Sequence, residues 1–346
     1  MAEYISFQPS DFFSTKLWTG TGAENAITGV GFQPDFTWIK NRDATEHNNL
    51  YDAVRGANKV IYSNLTNAEA TETQRVKSFD SDGFTLGTED AVNASGQDIV
   101  GWNWKANGAG SSNTDGSITS TVSANTTSGF SIVKWVGTGS NATIGHGLGA
   151  VPKMIIVKNL SSSLNWYVYT EMTGNTHSMI LDTTAAKVGA YSDNWNNTTP
   201  TSSWFSVGTS TSTGGASGDD VIAYCFAEVA GFSKFSSYTG NGSGDGTFVY
   251  TGFKPAFTLM KRTNSAGEGW FIFDSARGIR NVNKWELRAD TTTAEIDNSH
   301  QLDFLSNGVK IRTSGAGLNG SGDTYIYMAF AEFPIVSSND IPCTAR

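Results

Sequence analysis

The amino-acid sequence predicts an all-β protein made of three tandem antiparallel β-sandwich domains of jelly-roll or lectin-like type, each about 100 residues long. Only 16% of the residues are charged, while 12% are aromatic and 38 are glycine. Short apolar runs alternate with clusters of Gly, Asn, Asp and Ser, which is typical of short strands joined by tight turns. A segment of twelve residues occurs three times in similar form, which predicts three domains.

The repeated phrase is GFQPDFTWIKNR at 31–42, GAVPKMIIVKNL at 149–160 and GFKPAFTLMKRT at 252–263. Gly and Pro predict a turn, and the apolar residues after them predict a core strand. In every copy a Lys follows the Pro by six residues. These lysines are expected to end their strands in solvent, with binding of an anionic ligand as the alternative. The residues predicted to lie in the core are Phe36, Trp38, Ile39, Met154, Ile156, Phe257 and Leu259.

The match extends beyond the phrase on both sides. Upstream are WTGTG from Trp18, WVGTG from Trp135 and YTGNG from Tyr238, and each copy closes on a Ser-Gly turn followed by an aromatic strand. A period near 100 residues is that of whole domains in tandem, like beads on a string. The predicted segments are an N-terminal docking segment 1–15, repeats 16–106, 134–231 and 235–335, a Gly/Ser/Asn-rich linker with edge strands 107–133, and a C-terminal tail 336–346.

Charge and hydropathy exclude several classes of partner. The net charge of −9 and pI of about 4.9 argue against nucleic acid, which is bound through clustered Lys and Arg. No stretch reaches the roughly 18 apolar residues of a membrane-spanning helix, and the N-terminus lacks a secretory pattern. The expected place of synthesis is therefore a cytoplasm. Cys225 lies in the apolar run VIAYCFAEV and is predicted to be a buried strand residue.

The candidate chemical groups do not form a repeated catalytic set. Histidine occurs four times at unrelated positions, and His146 is expected to be a solvated turn residue. Asp80, Asp82 and Glu89 predict a solvated turn, with a calcium loop as the alternative. Two pairs, Asp52 with Arg55 and Asp274 with Arg277, predict local ion pairs or Asp turns. No catalytic, cofactor or metal site is predicted.

Two sets of aromatic residues are candidates for contact with other molecules. Tyr191 and Trp195 lie in the polar segment AYSDNWNNTTPTSSW, where they would either stack on sugar rings or staple a long loop. Tyr4, Phe7, Phe12 and Phe13 give the N-terminal segment more apolar surface than a free tail carries. This segment is predicted to dock on a partner subunit or on its own repeat.

The phrases YISFQPSDFFSTKLWTGTGAENAITGVGFQPDFTWIKNR, LYDAVRG, SFDSDGFTLGT and VGWNWKA resemble a domain family of virion and tail-fibre-like proteins of tailed bacteriophages, many of them marine. The first repeat matches closely, and the other two match through their Gly, Pro and aromatic motifs. The resemblance implies a structural or adhesive role in a virion and supplies no catalytic residues.

The expected function is thus a non-enzymatic virion protein, a tail fibre or tail appendage component. A capsid fibre or decoration protein and a carbohydrate-binding receptor module are the alternatives. The expected partners are other virion proteins, further copies of the chain in a homo-oligomer such as a trimer, and a host surface glycan.

Overall fold

A computed structural model describes residues 7–332, except the side chain of Asn298, and the backbone of two short strands near the C-terminus. Its strands and short helices follow in chain order. In the first repeat, after a 3-10 helix Pro9–Asp11, the strands are β1 (Phe13–Thr19), β2 (Asn25–Thr28), β3 (Phe36–Asn41), β4 (Asn49–Asp52), β5 (Lys59–Tyr62), β6 (Ala70–Thr71), β7 (Val76–Asp80), β8 (Gly83–Leu86) and β9 (Asp98–Trp104). A helix, α1 (Asp90–Asn93), precedes β9.

The linker and the second repeat contain β10 (Ser111–Asn113), β11 (Ser120–Asn125), β12 (Phe130–Val136), β13 (Ala142–Gly145), β14 (Pro152–Asn159), β15 (Tyr167–Thr170), β16 (His177–Ile180), β17 (Val188–Gly189), α2 (Ser192–Trp195), β18 (Trp204–Val207) and β19 (Asp220–Ala227). The third repeat contains β20 (Ser233–Thr239), β21 (Phe248–Tyr250), β22 (Pro255–Arg262), β23 (Trp270–Asp274), β24 (Asn283–Arg288), β25 (Ile296–Leu305), β26 (Gly308–Ile311), α3 (Ala316–Asn319) and β27 (Thr324–Ala331). Beyond it, β28 (Ile335–Val336) pairs with β29 (Pro342–Cys343).

The three repeats share one strand order, and the chain is all-β as predicted. Their main sheets run β1-β9-β3-β4-β5, β12-β19-β14-β15-β16 and β20-β27-β22-β23-β24, with further strands at the edges. Every named pair is antiparallel. In the linker, β10 and β11 extend the second sheet beyond β12, which confirms the edge strands predicted there. A second, smaller set of strands (β2-β8-β7, β13-β18 and β21-β26-β25) packs on each main sheet.

Each main sheet is buried on both faces. One face packs on its own repeat's smaller sheet, forming three separate clusters. The other face contributes to one large cluster shared by all three repeats, with Trp38, Ile156 and Leu259 at corresponding positions. The picture of separate beads on a string is therefore wrong for these residues, because the largest core belongs to no single repeat. All seven predicted core residues are buried.

The repeated glycines of WTGTG, WVGTG and YTGNG have a steric cause. A Cβ on Gly20, Gly137 or Gly240 would lie 2.1, 2.6 or 2.3 Å from a backbone oxygen of the closing loop of its repeat. No side chain fits such a gap. The repeated pattern therefore records a close backbone approach that each repeat needs at the end of its first strand.

Candidate functional site

The repeated lysines are buried, which corrects their predicted place in solvent. Lys40, Lys158 and Lys261 are each 0% exposed. The ammonium group of Lys158 donates to the carbonyl oxygens of Leu164 at 2.8 Å and Thr66 at 3.0 Å. The sequence placed these lysines at strand ends correctly. It did not show that each strand ends inside the molecule.

Carbonyl oxygens occupy the positions where an anionic ligand would bind. Lys40 donates to the carbonyls of Asn41 at 2.8 Å and, in the third repeat, Thr292 at 3.2 Å. Lys261 donates to the carbonyl of Glu268. Burial lowers the pKa of each of the three lysines to about 8. The hydrogen bonds of Lys40 and Lys158 also join neighbouring repeats.

The two predicted Asp–Arg pairs are present, and both are buried. Asp52 accepts hydrogen bonds from the Arg55 backbone N–H at 2.9 Å and from its Nε at 2.5 Å. Asp274 and Arg277 repeat this geometry at 2.8 and 2.6 Å. These are the Asp turns and local ion pairs that the sequence predicted. Their side chains, however, are at most 1% exposed, so the pairs are interior and not surface features.

Each Asp of these pairs also accepts a hydrogen bond from another repeat. The Tyr224 hydroxyl, in the second repeat, donates to Asp52 Oδ2 at 2.8 Å. The Trp102 indole, in the first repeat, donates to Asp274 Oδ2 at 3.0 Å. In the third repeat, the residue equivalent to Trp102 and Tyr224 is Met328, whose side chain has no hydrogen-bond donor. The second repeat, which would supply the acceptor for it, has Thr170 at the position of the Asp.

A third residue varies together with each pair. Glu69 and Glu295 bind Arg55 at 3.3 Å and Arg277 at 2.7 Å. The second repeat has Thr173 in place of the Arg, and Lys187 in place of the Glu.

Backbone contacts identify these three positions as equivalent. The N–H groups of Glu69, Lys187 and Glu295 donate to the carbonyls of Leu160, Thr263 and Arg42, each of which follows its repeated Lys by two residues. Asp, Arg and Glu thus occur together or are replaced together.

The contacts between repeats close a ring. The Trp166 indole, in the second repeat, donates to the Tyr62 carbonyl of the first at 2.9 Å. The Trp270 indole, in the third, donates to the Ile180 carbonyl of the second at 2.9 Å. Asn48 takes the same position in the first repeat, and its amide reaches the Thr291 carbonyl of the third at 2.9 Å.

The first repeat compensates for its missing indole. Its sequence has Asn48 where the others have Trp166 and Trp270, but Trp38 where the others have Ile156 and Leu259. The Trp38 indole donates to the Asn48 side-chain oxygen at 3.0 Å. In the first repeat, the Trp38 indole thus bonds the Asn48 amide, which reaches the third repeat. In the other two repeats, the indoles of Trp166 and Trp270 reach the neighbouring repeat directly.

Of the two predicted glycan contacts, one ring is exposed and the other is not. Tyr191 is 52% exposed, whereas Trp195 is 2% exposed. Trp195 donates its indole N–H to the Ser178 hydroxyl at 2.8 Å and packs edge to face on Tyr169. Trp195 is therefore not available to a glycan: its ring holds the loop on the second repeat's core, which is the loop-staple interpretation of this residue.

The N-terminal aromatic residues contact the chain itself. Phe7 lies 5.4 Å from Phe232, and Phe13 stacks on Phe330 at 5.2 Å between ring centroids. Phe12 is half-buried against the shared core. Tyr4 lies outside the described residues. The described part of the docking segment thus packs on the third repeat and on Phe232, which lies between the second and third repeats.

His146 is 0% exposed, which corrects its predicted place in solvent. Its ring nitrogens bond the Thr201 carbonyl at 3.1 Å and the Leu148 backbone N–H at 3.2 Å. Burial lowers the pKa of this imidazole. The prediction for Cys225 is confirmed, since the residue is a buried free thiol whose pKa is raised by burial.

The carboxylates proposed for a calcium loop have protein partners. Asp82 accepts hydrogen bonds from the backbone N–H groups of Gly29 at 2.8 Å and Gly31 at 2.7 Å, and these bonds lower its pKa. Asp80 accepts from two hydroxyls, and Glu89 faces Arg75. Within the described residues, no group of three or more His, Cys, Asp or Glu side chains is arranged to hold a metal, and no helix is long and apolar enough to cross a membrane.

An open groove of about 160 Å³ lies on the second sheet, where β10, β11 and β12 continue beyond the shared core. Ser112, Thr121, Lys134 and Asp220 line it, together with the exposed Val136. Lys134 and Asp220 form an ion pair at 3.0 Å. Hydroxyls, one cation and one carboxylate could bind a small polar ligand such as a sugar ring.

The comparisons with known proteins identify a family and no activity. Residues 8–334 match the family model described as Domain of unknown function (DUF7483). This one model spans all three repeats. A search of curated proteins finds no match.

Proposed function

Since the chain belongs to the DUF7483 family, whose description names no activity, we propose from its residues that it is a non-enzymatic structural component of a bacteriophage virion, in a tail fibre or tail appendage. The phage assignment rests on the resemblance of the sequence phrases. The structural role rests on the burial of the repeated ionisable residues and on their hydrogen bonds to neighbouring repeats.

The observation that carries the structural role is that the repeated charged residues hold the repeats together. All three lysines are buried, and two of them donate hydrogen bonds to a neighbouring repeat. Both Asp–Arg pairs are buried, and each accepts a hydrogen bond from a neighbouring repeat. Buried ionic groups cost free energy to desolvate, and one well-attested use of them is to fix a unique arrangement. We therefore infer that the repeated Lys residues and the Asp–Arg pairs fix the repeats to one another as one rigid body.

The test is to locate the chain in particles. Particles are prepared from a phage whose genome encodes it, purified on a density gradient and dissociated into heads and tails, and the chain is quantified by mass spectrometry in each fraction. The proposal expects a fixed copy number in the tail fraction. Enrichment in heads would support the capsid fibre or decoration alternative. Absence from washed particles would refute a virion role.

The groove on the second sheet favours one further candidate, recognition of a host glycan. Its hydroxyl, ammonium and carboxylate groups match the hydrogen-bonding needs of a sugar ring. Binding on a glycan array that is lost in Lys134→Met, and retained in Lys77→Met, would support this role. Release of new reducing ends from host polysaccharide would instead contradict the non-enzymatic proposal.

A further inference from the structure

The edge strands of the three smaller sheets can be compared directly, because the repeats align. They are β2, β13 and β21, and the middle residues Ile27, Ile144 and Val249 are all buried. These pair with Phe84, Phe205 and Val309 in the adjoining strands. The residues flanking each middle residue point to the other face of the strand and differ among the repeats: Ala26 and Thr28, Thr143 and Gly145, Phe248 and Tyr250.

In the second repeat, the chain itself covers this edge. The Ile118 N–H donates to the Thr143 carbonyl at 3.4 Å, and the Thr143 N–H donates to the Ser117 hydroxyl at 2.9 Å. Ile118 forms a parallel bridge with Ile144. A short extended segment is thus the natural occupant of this strand position.

In the third repeat, the corresponding edge is uncovered by the described residues. The Ile311 N–H donates to the Thr247 carbonyl at 3.1 Å, and the Thr251 N–H donates to the Asn307 carbonyl at 3.0 Å. Antiparallel pairs alternate between hydrogen-bonded and non-bonded, so Phe248 and Tyr250 direct their backbone groups away from β26. The Tyr250 carbonyl accepts from the Tyr327 hydroxyl at 2.8 Å. The Phe248 N–H and C=O and the Tyr250 N–H therefore point out of the sheet edge, where no further strand of the described residues pairs with β21.

Two large aromatic side chains are exposed on this edge. Phe248 is 42% exposed and Tyr250 is 62% exposed. Proteins usually protect an edge strand with charge, Pro or a covering segment, and contiguous exposed apolar surface marks an interaction site. Here aromatic rings stand where the first repeat has Ala and Thr.

We propose that the edge strand Phe248–Tyr250 binds an extended segment of a partner polypeptide, which adds to the sheet as a strand. The partner's backbone N–H bonds the Phe248 carbonyl as Ile118 bonds Thr143, and the side chains on either side of that partner residue pack on Phe248 and Tyr250. A polypeptide fits better than a glycan, because the open backbone groups repeat with the spacing of a strand and the second repeat fills the same position with one.

The probe is a fluorescein-labelled peptide of residues 113–120, NTDGSITS, which contains the segment that covers the second repeat. Fluorescence polarisation with the full chain should show saturable binding below millimolar peptide. The double variant Phe248→Ala with Tyr250→Thr, which copies the first repeat, should weaken binding at least tenfold. Tyr191→Thr, at an exposed Tyr elsewhere, should leave it unchanged. Both variants alter exposed side chains, and far-UV circular dichroism confirms their fold.

A second peptide decides the mode of binding. Methylation of the backbone nitrogen of the residue corresponding to Ile118 removes the donor for the Phe248 carbonyl and should abolish binding. Amide hydrogen exchange should also be faster at Phe248 than at Thr143 in the free chain and should slow at Phe248 with peptide. Equal binding of the methylated peptide, or no saturation by the parent peptide, would overturn strand addition. Oligosaccharide binding that needs the same two rings would assign the site to a glycan. Self-association in sedimentation that disappears in the double variant would assign it to a second copy.

Discussion

Replacement of Tyr224 by Phe tests whether the repeats depend on one another for stability. The substitution keeps the ring, which lies 4.3 Å from Phe36, and removes only the hydroxyl. That hydroxyl donates to Asp52 Oδ2 at 2.8 Å and accepts from Arg55 at 3.4 Å. Asp52 retains both of its bonds from Arg55, so no buried charge is left without a partner.

The size of the effect follows from the charge of the acceptor. A buried hydrogen bond to a charged group contributes about 1.5–3 kcal/mol. The free energy of unfolding should therefore fall by about 1.5–3 kcal/mol in Tyr224→Phe. Tyr191→Phe, at an exposed position, should change it by less than about 0.5 kcal/mol.

The assay is urea denaturation followed by far-UV circular dichroism and by tryptophan fluorescence. Because Trp102, Trp166 and Trp270 lie in one shared core, all signals should follow a single transition, and the variant should shift all of them together. A loss below about 0.5 kcal/mol would refute the contribution of this bond. Separate transitions for the three repeats would refute the shared core as the source of stability.

Three further predictions concern buried ionisable groups. Arg277→Met should reduce the free energy of unfolding in urea by about 3–5 kcal/mol, because it leaves the buried Asp274 carboxylate without its cation; a value near zero would contradict this. Lys158 should resist acylation by an N-hydroxysuccinimide ester in the native chain while the half-exposed Lys77 reacts, as peptide mass spectrometry would show, and equal labelling would contradict its burial. Since the pKa of His146 is lowered in the folded state, the stability that its neutral form supports is present above the unfolded pKa of about 6.5 and is lost as pH falls below it. The difference in unfolding free energy between wild type and His146→Asn should shrink over that range, and a constant difference would refute the assignment.

Much of the interior could be predicted from alternation along single strands. Trp38, Ile156 and Leu259 follow a turn in an apolar run, and Cys225 lies in another, so their burial requires only that the run be a strand. The Asp52–Arg55 turn is local as well, since its residues are three apart. The glycine in the middle of WTGTG, WVGTG and YTGNG is required by a close backbone approach to the closing loop of its repeat.

The lysines could not be placed in the same way. An ammonium group at a strand end is ordinarily solvated, and its burial at Lys158 depends on carbonyls from the 162–164 loop and from Thr66 in another repeat. The signal available in the sequence was that WYVYT and WFIFD carry aromatics on both faces. A strand that is apolar on both faces needs a layer on each side, and the second layer here comes from the other repeats.

The sequence by itself determined what depends on neighbours along the chain: the β class, the three copies, the turns, and which strand residues are apolar. Tertiary structure alone decided what faces the second side of each sheet, and so converted the predicted beads into repeats around a common core. It also decided which edges remain open, since the covered strand at Thr143 and the uncovered one at Phe248 occupy the same position in their repeats. The physical reason is that burial and hydrogen-bond satisfaction belong to surfaces that meet only when distant segments pack together.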